Sequence, residues 1–252
     1  YYNRGNISLE KKEHEEAIRD YSQALEITPN DSSILYNRAV AQWESGEAEG
    51  ALEDLNHIRK VDPGRRDASL LRGQVQEKLQ MWNEALQAYD EATQVRVNAA
   101  EAYFRLGILL SRFGKKELAR EQLTRCIELN PTFEKVWFNR GVLNAALGNT
   151  EEALSDYNEG IRLMPLYAQT WYSRGNLRRK MKDFDGALKD YSQAIELKPK
   201  FPEAISNRAD IHMMMGKATE AIRDYKKALS IAPPDWAYRE KVEATVRRLQ
   251  RQ

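Results

Sequence analysis

The sequence contains a single cysteine, Cys126, among 252 residues. One cysteine cannot form a disulfide within the chain, so a disulfide-stapled extracellular fold is excluded. We therefore expect a cytoplasmic or other reducing location. The sequence also lacks an initiator methionine and a signal-peptide pattern, and its first residues already have a helical pattern. We expect it to be a fragment of a longer protein, from which targeting segments are missing.

Long apolar runs and an excess of one charge are missing as well. The apolar runs are only a few residues long, too short for a helix that crosses a bilayer, so we expect no membrane insertion. The 39 Lys and Arg residues almost balance the 38 Asp and Glu residues. Proteins whose main task is to bind nucleic acid usually carry a clear basic excess, so no nucleic-acid partner is expected.

Glycine and proline are scarce, at 13 and 8 residues, whereas charged residues make up 31% and hydrophobic ones 42%. This composition is typical of a soluble helical protein. Six of the prolines are nevertheless spaced by 34 residues or a multiple of 34: Pro29, Pro63, Pro131, Pro165, Pro199 and Pro233. Only Val97 interrupts this series. A period of this length is typical of a solenoid built from repeated units.

The period divides the sequence into seven units and a tail. The units span residues 1–31, 32–65, 66–99, 100–133, 134–167, 168–201 and 202–235. Residues 236–252 contain no Gly or Pro, and Trp236, Val242, Val246 and Leu249 have helical spacing on one side. Because a terminal repeat needs a polar outer face, we predict a C-terminal capping helix here. A basic helix that contacts nucleic acid is the alternative.

Every unit has an alanine in its second half: Ala17, Ala51, Ala85, Ala119, Ala153, Ala187 and Ala221. Tyr or Leu follows four residues later, and a mostly small residue follows three residues after that. This spacing puts the three positions on one helix face, where small residues let a neighbouring helix approach closely. In the first half, a glycine inside the predicted helix costs about 1 kcal/mol relative to alanine. It recurs in most units, which predicts a tight helix crossing: Gly5, Gly73, Gly107, Gly141 and Gly175.

The full pattern is clearest in the fifth unit, which has Trp137, Gly141, Ala153, Tyr157 and Pro165. This pattern resembles the tetratricopeptide repeat, whose signature combines an aromatic residue, glycine, alanine, a second aromatic residue and proline. The pentatricopeptide repeat has a similar length but does not match this residue set. The resemblance covers the chain to about residue 235. It implies an all-α fold, a right-handed α-solenoid (superhelix) of antiparallel helix pairs whose first helices, the A helices, line a concave groove.

Arginine and aspartate recur at two fixed positions. With the proline slot of each unit numbered 32, position 7 is arginine in six units and position 23 is aspartate in five. The arginine of one unit tracks the aspartate of the unit before it, since Leu106 follows a unit that has Ala88 at position 23. We therefore predict structural, bidentate ion pairs between adjacent repeats: Arg38–Asp20, Arg72–Asp54, Arg174–Asp156 and Arg208–Asp190.

Position 6, which faces the groove in this family, is often asparagine. An exposed amide can donate to a peptide backbone and accept from it at once. The series resembles the asparagine ladder in the repeat arm of O-linked GlcNAc transferase. Groove positions of the fourth to sixth units add aromatic, aliphatic and basic residues. The candidate peptide-binding residues are Asn37, Phe104, Arg105, Ile108, Arg112, Lys135, Phe138, Asn139, Val142, Tyr172, Asn176 and Lys180.

This mixture of apolar and basic residues predicts a protein or peptide partner with apolar anchors and an acidic side chain or C-terminal carboxylate. The predicted function is a non-catalytic protein–protein interaction scaffold. Two alternatives stay open. One is a homo-oligomeric module that associates through the Met-rich residues 213–215, and the other is the recognition arm of a larger enzyme whose catalytic domain is absent.

Some co-chaperone repeats bind the terminal carboxylate of heat-shock chaperones through a clamp of asparagines and bases. In the register that starts at the first unit, Asn6 and Asn37 are present, but Tyr2, Asp67 and Leu71 replace the three bases. A register that starts at the third unit is also incomplete. A standard clamp of this kind is therefore not predicted.

Residues for catalysis are not arranged in any recognisable motif. His14, His57 and His212 fall at unrelated repeat positions, and Cys126 occupies the small-residue packing position. No metal-ligand spacing and no nucleophile–base motif accompanies them. We therefore predict no enzymatic activity, no cofactor and no metal.

Overall fold

The computed structural model describes residues 1–250 of the chain. These residues form fifteen α-helices and contain no strand, which confirms the all-α prediction. The chain divides into two compact units, a first unit of residues 1–131 and a second unit that begins at Thr132. Within each unit, every A helix packs against the B helix that follows it, and that B helix packs against the next A helix.

The first unit contains eight helices: α1 Tyr2–Glu10, α2 His14–Ile27, α3 Ser32–Ser45, α4 Ala48–Val61, α5 Ala68–Lys78, α6 Trp82–Thr93, α7 Ala99–Arg112 and α8 Lys116–Leu129. In its described residues, the second unit contains seven: α9 Glu134–Leu147, α10 Thr150–Leu163, α11 Ala168–Lys180, α12 Phe184–Leu197, α13 Pro202–Met214, α14 Ala218–Ile231 and α15 Arg239–Leu249. The odd-numbered helices α1 to α13 are the A helices, and the even-numbered helices are the B helices.

The glycine positions are tight helix crossings, as predicted. A Cβ on Gly73 would lie 2.6 Å from the ring of Tyr89, and a Cβ on Gly175 would lie 2.8 Å from the ring of Tyr191. These distances are far below van der Waals contact, so at these glycines the A helix can meet the tyrosine ring of its B helix only without a side chain. The predicted alanine positions on the B helices are all fully buried.

The turn from each A helix to its B helix has one residue with positive φ, always at position 15. Glycine occupies it in four repeats, for example Gly148 at φ 85°, whereas the first, third and sixth repeats have Lys12, Gln80 and Lys182 at φ 60–64°. Glycine adopts this left-handed conformation without the Cβ clash that other residues experience. The three non-glycine turns are therefore strained positions of the fold.

The predicted register of the Arg–Asp pairs is wrong. Arg38 donates from Nε and Nη2 to the two carboxylate oxygens of Asp54, at 2.8 and 2.6 Å, and Asp54 belongs to its own repeat. Every predicted arginine instead pairs within its own repeat. The predicted pairs were Arg38–Asp20, Arg72–Asp54, Arg174–Asp156 and Arg208–Asp190. The observed pairs are Arg38–Asp54, Arg72–Glu91, Arg174–Asp190 and Arg208–Asp224.

The same arginines still reach the preceding repeat, but through a hydroxyl or an amide. The third guanidinium nitrogen of Arg38 donates to Ser22 at 3.0 Å, and that of Arg174 donates to Asn158 at 2.6 Å. The carboxylates are buried, with Asp190 only 1% exposed. Arg38 therefore joins its own B helix by a bidentate ion pair and the preceding B helix by one hydrogen bond, as do Arg174 and Arg208. Arg72 donates to Glu91 through a single nitrogen.

The tail after the seventh repeat forms α15, which packs on α14. Its apolar side is buried as expected, because Trp236, Val242, Val246 and Leu249 are each less than 10% exposed. Residues 251 and 252 of the predicted capping segment lie outside the described residues. Among the helices of residues 1–250, none combines the length and the apolar character that crossing a membrane requires.

Candidate functional site

The twelve predicted peptide-binding residues are divided between the two units. Asn37 lies on α3, and Phe104, Arg105, Ile108 and Arg112 lie on α7 of the first unit. In the second unit, α9 and α11 place the others: Lys135, Phe138, Asn139 and Val142 on α9, and Tyr172, Asn176 and Lys180 on α11.

In the second unit, two asparagines and two tyrosines form a hydrogen-bonded cluster between adjacent repeats. Asn207 donates from Nδ2 to Asn176 Oδ1 at 2.8 Å and to the Tyr172 hydroxyl at 3.2 Å. The hydroxyl of Tyr191 donates to the same Asn176 oxygen at 2.8 Å. Burial raises the pKa of Tyr191 above its usual value, so the hydroxyl keeps the proton that it donates here.

Each of the two asparagine side chains in this cluster keeps hydrogen-bonding capacity that the described residues do not fill. The Oδ1 of Asn176 accepts two hydrogen bonds. Burial raises the pKa of Tyr172, and a hydrogen bond from the Asn176 side chain acts in the opposite direction, so one N–H of the Asn176 amide is used and the second is available. The Nδ2 of Asn207 is used, but its Oδ1 has no partner among the described residues. The cluster therefore fixes the orientation of both amides and leaves one donor group and one acceptor available.

This cluster lines a cavity of about 420 Å³ between α11, α13 and α15, here called the asparagine cavity. Arg179, Asp210 and Lys241 also line it. The sequence prediction included Tyr172 and Asn176 but missed these three charged residues. Lys241 lies beyond the last repeat, at the position that would be 6 in an eighth A helix, and only continuing the 34-residue period past Pro233 would have found it.

The charges of the asparagine cavity are only partly paired. Arg179 Nη1 lies 3.7 Å from Asp210, and the Tyr225 hydroxyl donates to the same aspartate. Burial first, and this hydrogen bond second, raise the pKa of Tyr225. Glu203 accepts a hydrogen bond of 2.9 Å from the indole of Trp236. Lys241 has no carboxylate partner within ion-pair distance in the described chain, so its ammonium group is available to a ligand.

The first unit repeats the four-residue cluster at the same repeat positions. Asn37 donates to Asn6 Oδ1 at 3.0 Å and to the Tyr2 hydroxyl at 3.4 Å, while the Tyr21 hydroxyl donates to Asn6 Oδ1 at 2.8 Å. Burial is the largest cause that raises the pKa of Tyr21 to about 12. Here Leu71, buried on α5, stands at the position that Lys241 occupies in the second unit.

The two predicted basic residues of α7 are already engaged. Arg105 Nε donates to Glu101 at 2.6 Å, one turn earlier on the same helix, so its charge is locally compensated. The guanidinium of Arg112 lies over the ring of Trp82, 3.8 Å from its centroid. Phe104 and Ile108 are half-buried beside them.

The predicted residues of α9 do not form an asparagine cluster. Asn139 donates from Nδ2 to the backbone carbonyl of Lys135 in its own helix, at 2.8 Å. Phe138 packs edge-on against Tyr167, with ring centroids 5.4 Å apart. Lys135 and Val142 are exposed, as is Lys180 on α11. Asparagine at position 6 therefore has two different environments in this unit, depending on whether position 9 of the preceding repeat is also asparagine.

Side chains that could bind a metal do not cluster in the described part of the chain. No group of three or more His, Cys, Asp or Glu side chains there could hold a metal ion. Cys126 is fully buried, and burial raises the pKa of its thiol to about 12. A thiol with this pKa is not a nucleophile near neutral pH, because the thiolate is the reactive form.

Comparison with protein families gives the same repeat period. Models described as "Tetratricopeptide repeat" match residues 36–99, 100–133, 134–167, 168–201 and 202–235, and one described as "TPR repeat" matches residues 5–46. The chain belongs to the tetratricopeptide repeat family. Its A and B helices are thus those of tetratricopeptide repeats, and each asparagine cluster joins two A helices and the B helix between them.

Several curated relatives are co-chaperones by name. The heat-shock protein cognate co-chaperone sgt12 of Aspergillus fumigatus is 32% identical over 104 residues, which cover 41% of this chain and 30% of that protein. The Hsp70-Hsp90 organizing protein of Triticum aestivum is 26% identical over 202 residues, covering 52% of this chain and 35% of that protein. The chain spans about a third of the length of these relatives.

Solved structures share the fold. The C-terminal part of a TPR repeat-containing protein from Cytophaga hutchinsonii has a TM-score of 0.78 at 20% identity, covering 97% of this chain and 98% of that one. YrrB, described as a TPR protein with an unusual peptide-binding site, has a TM-score of 0.67 at 24% identity, covering 73% of this chain and 95% of its own. At these identities the likeness establishes the tetratricopeptide repeat fold alone.

Proposed function

We propose that the chain is a non-catalytic protein-interaction scaffold that binds an extended peptide segment along its A helices. In the second unit the segment lies in the asparagine cavity. The observation that carries this proposal is the pair of oriented amides there. Asn176 presents one available N–H and Asn207 presents a carbonyl oxygen without a partner in the described chain, on neighbouring helices of one cavity.

An extended peptide has the complementary groups. Its backbone offers a carbonyl oxygen to Asn176 Nδ2 and an N–H group to Asn207 Oδ1, and neither contact depends on the side chain of the peptide. Because Tyr172 and Tyr191 hold the amides in place, little side-chain entropy is lost on binding. The clusters are therefore suited to reading a backbone, whereas the residues around them select the side chains.

The second unit selects an acidic side chain or a C-terminal carboxylate. Lys241 is unpaired in the described chain, and Arg179 lies at 3.7 Å from Asp210, a distance that leaves guanidinium N–H groups available. The ring of Tyr172 lines the same cavity and provides an apolar surface beside these charges. A peptide with one acidic and one apolar anchor fits this set of groups.

The names of the relatives support a peptide or protein ligand. Two relatives are named as co-chaperones or chaperone organizers, and the fold of YrrB is described together with a peptide-binding site. Because the chain covers only about a third of the curated relatives, the support extends to the class of ligand, a peptide segment, and to no particular partner.

Binding of fluorescent acidic peptides to the purified chain tests the proposal. Removing both amide groups, in the double variant of Asn176→Ala and Asn207→Ala, is expected to weaken binding about tenfold or more, since each lost hydrogen bond contributes about 1 kcal/mol. Lys241→Glu is expected to weaken the binding of acidic peptides at least as much. The matched control is Asn139→Ala, because Asn139 also stands at position 6 but bonds its own helix.

Comparison with the control variant shows which results would refute the proposal. If Asn139→Ala weakens binding as much as the double alanine variant does, the clusters have no special role. If acidic peptides bind Lys241→Glu as well as the wild type, the acidic anchor is wrong. Circular dichroism melts of each variant separate lost binding from lost folding, since Asn207 also joins two repeats of the structure.

A further inference from the structure

A second cavity lies entirely within the first unit and differs in chemistry from the asparagine cavity. It has a volume of about 700 Å³, and two indole rings, Trp43 and Trp82, line it together with Lys78 and Arg112. We call it the tryptophan cavity. Its volume lies in the range of ordinary ligand sites, roughly 300–1,000 Å³. Tryptophan rings on a partly open surface are a frequent feature of binding sites, because they offer a large apolar face and one polar group.

The side chains that line this cavity are mostly hydrogen-bond donors. Tryptophan, lysine and arginine side chains can donate and cannot accept. The indole N–H groups of Trp43 and Trp82 have no acceptor among the described residues. Gln74 and Gln80 can both donate and accept. A ligand rich in acceptors and poor in donors matches this lining best.

The one carboxylate of the cavity is already used. Glu77 accepts a hydrogen bond of 2.6 Å from the buried hydroxyl of Tyr89. Lys78 and Arg112, in contrast, have no carboxylate partner within ion-pair distance in the described chain. The guanidinium of Arg112 instead lies over the Trp82 ring, 3.8 Å from its centroid, and its N–H groups have no hydrogen-bond acceptor in the described chain. The cavity therefore attracts negative charge.

We infer that the tryptophan cavity binds an acidic, proline-containing peptide segment. Proline has no N–H group, so a run of prolines presents carbonyl acceptors and no backbone donors. Its polyproline II conformation leaves those carbonyls unbonded and is ordered before binding, and aromatic-lined grooves are a common way to recognise it. Acidic side chains beside the prolines would meet Lys78 and Arg112.

This inference deepens the proposed interaction function, since both assign peptide binding to the chain, but the two cavities lie in different units. An acidic peptide without proline is selected by the asparagine cavity, where both N–H and carbonyl groups of the backbone are read. The tryptophan cavity selects against backbone N–H groups. Variants in one unit therefore leave the other cavity intact.

The test measures fluorescence anisotropy of a labelled peptide of alternating proline and glutamate with the whole chain. Two comparison peptides replace every proline by alanine or every glutamate by lysine. We expect both to bind at least tenfold more weakly, and Arg112→Glu to weaken binding of the proline–glutamate peptide at least tenfold. Arg120→Glu on α8 is the matched control, because Arg120 is exposed in the same unit and does not line the cavity.

Several results would overturn the inference. Equal binding of the proline and alanine peptides would do so, as would wild-type affinity in Arg112→Glu or no detectable binding below about 1 mM. Trp82→Leu is a second variant with the same expected loss, and Arg112 keeps the test decisive where that variant fails to fold. A loss of binding in Asn207→Ala with none in Arg112→Glu would also overturn the inference and would leave the proposed function standing.

Discussion

Replacing the carboxylate of Asp190 tests the register of the ion pairs more directly than any other change. Asp190 is 1% exposed and accepts from Arg174 at 3.0 and 2.7 Å and from Arg178 at 2.9 Å. Asp190→Ala therefore leaves Arg174 without its carboxylate in a largely buried site, and it leaves Arg178 with Asp183 alone, at 3.5 Å. Breaking a buried pair from one side costs about 3–5 kcal/mol, because an uncompensated charge stays behind.

Removing the arginine of this pair is expected to lower the free energy of unfolding by less than removing the aspartate. In Arg174→Ala, Arg178 still neutralises Asp190, so we expect a cost of about 1–3 kcal/mol. The double variant of Arg174 and Asp190 is expected to cost less than the sum of the two single changes, with a coupling of about 1–3 kcal/mol. The sequence-based register gives a different partner, Asp156. For Arg174→Ala combined with Asp156→Ala, the structure predicts additivity within about 0.5 kcal/mol.

Urea unfolding followed by circular dichroism measures six proteins: the wild type, the single variants of Arg174, Asp190 and Asp156, and the two double variants. A nearest-neighbour model is the suitable fit for stacked repeats. A coupling of Arg174 with Asp156 that equals or exceeds its coupling with Asp190 would refute the within-repeat pairing. A cost below about 1 kcal/mol for Asp190→Ala would refute the magnitude, since it would mean that Arg174 finds another partner or water at little cost.

Two further predictions concern the turns and the dependence on acid. Lys182 has φ 64° at a position where four other repeats have glycine, so Lys182→Gly is expected to raise the free energy of unfolding by about 0.5–1 kcal/mol in the same urea assay, and an unchanged or lower value would contradict the strain. The hydrogen bond from Arg4 holds the pKa of Asp20 below its ordinary value. A lowered pKa in the folded state adds stability that is present above the unfolded pKa of about 3.9 and is lost as pH falls through the folded value. An NMR titration is expected to give Asp20 a lower pKa in the wild type than in Arg4→Met, and equal values would exclude this cause.

The repeat period and the glycine crossings could be predicted because they are local. The glycine of each repeat meets the residue sixteen positions later in the same repeat, so this position has one environment in every copy that contains glycine. The ion-pair register could not be found this way, since position 7 is near a B helix on each side. Arg72 misled the comparison, because its own repeat has Ala88 at position 23. The structure shows that Glu91, three residues further on the same helix, provides the missing carboxylate.

In the candidate site as well, the positions of the asparagines could be predicted from the repeat period, whereas their contacts could not. Asn37 and Asn176 were found because groove positions repeat with the period. Whether an asparagine is free to bind a ligand depends on its neighbours in space, however, and from sequence alone Asn139 was an equal candidate. In the structure, Asn139 caps a carbonyl of its own helix, whereas Asn207 is held by a residue of the repeat before it.

The two asparagine clusters differ chiefly in the residue that follows them in the stack. Both have tyrosine, tyrosine and two asparagines in the same hydrogen-bonding pattern. Next comes Leu71 in the first unit and Lys241 in the second, at equivalent positions of the following A helix. A leucine cannot compensate a carboxylate, so the acidic anchor of the proposed ligand belongs to the second unit. In the proposed binding mode, the shared cluster binds the peptide backbone. The position of Leu71 and Lys241 then selects between an apolar and an acidic side chain of the peptide.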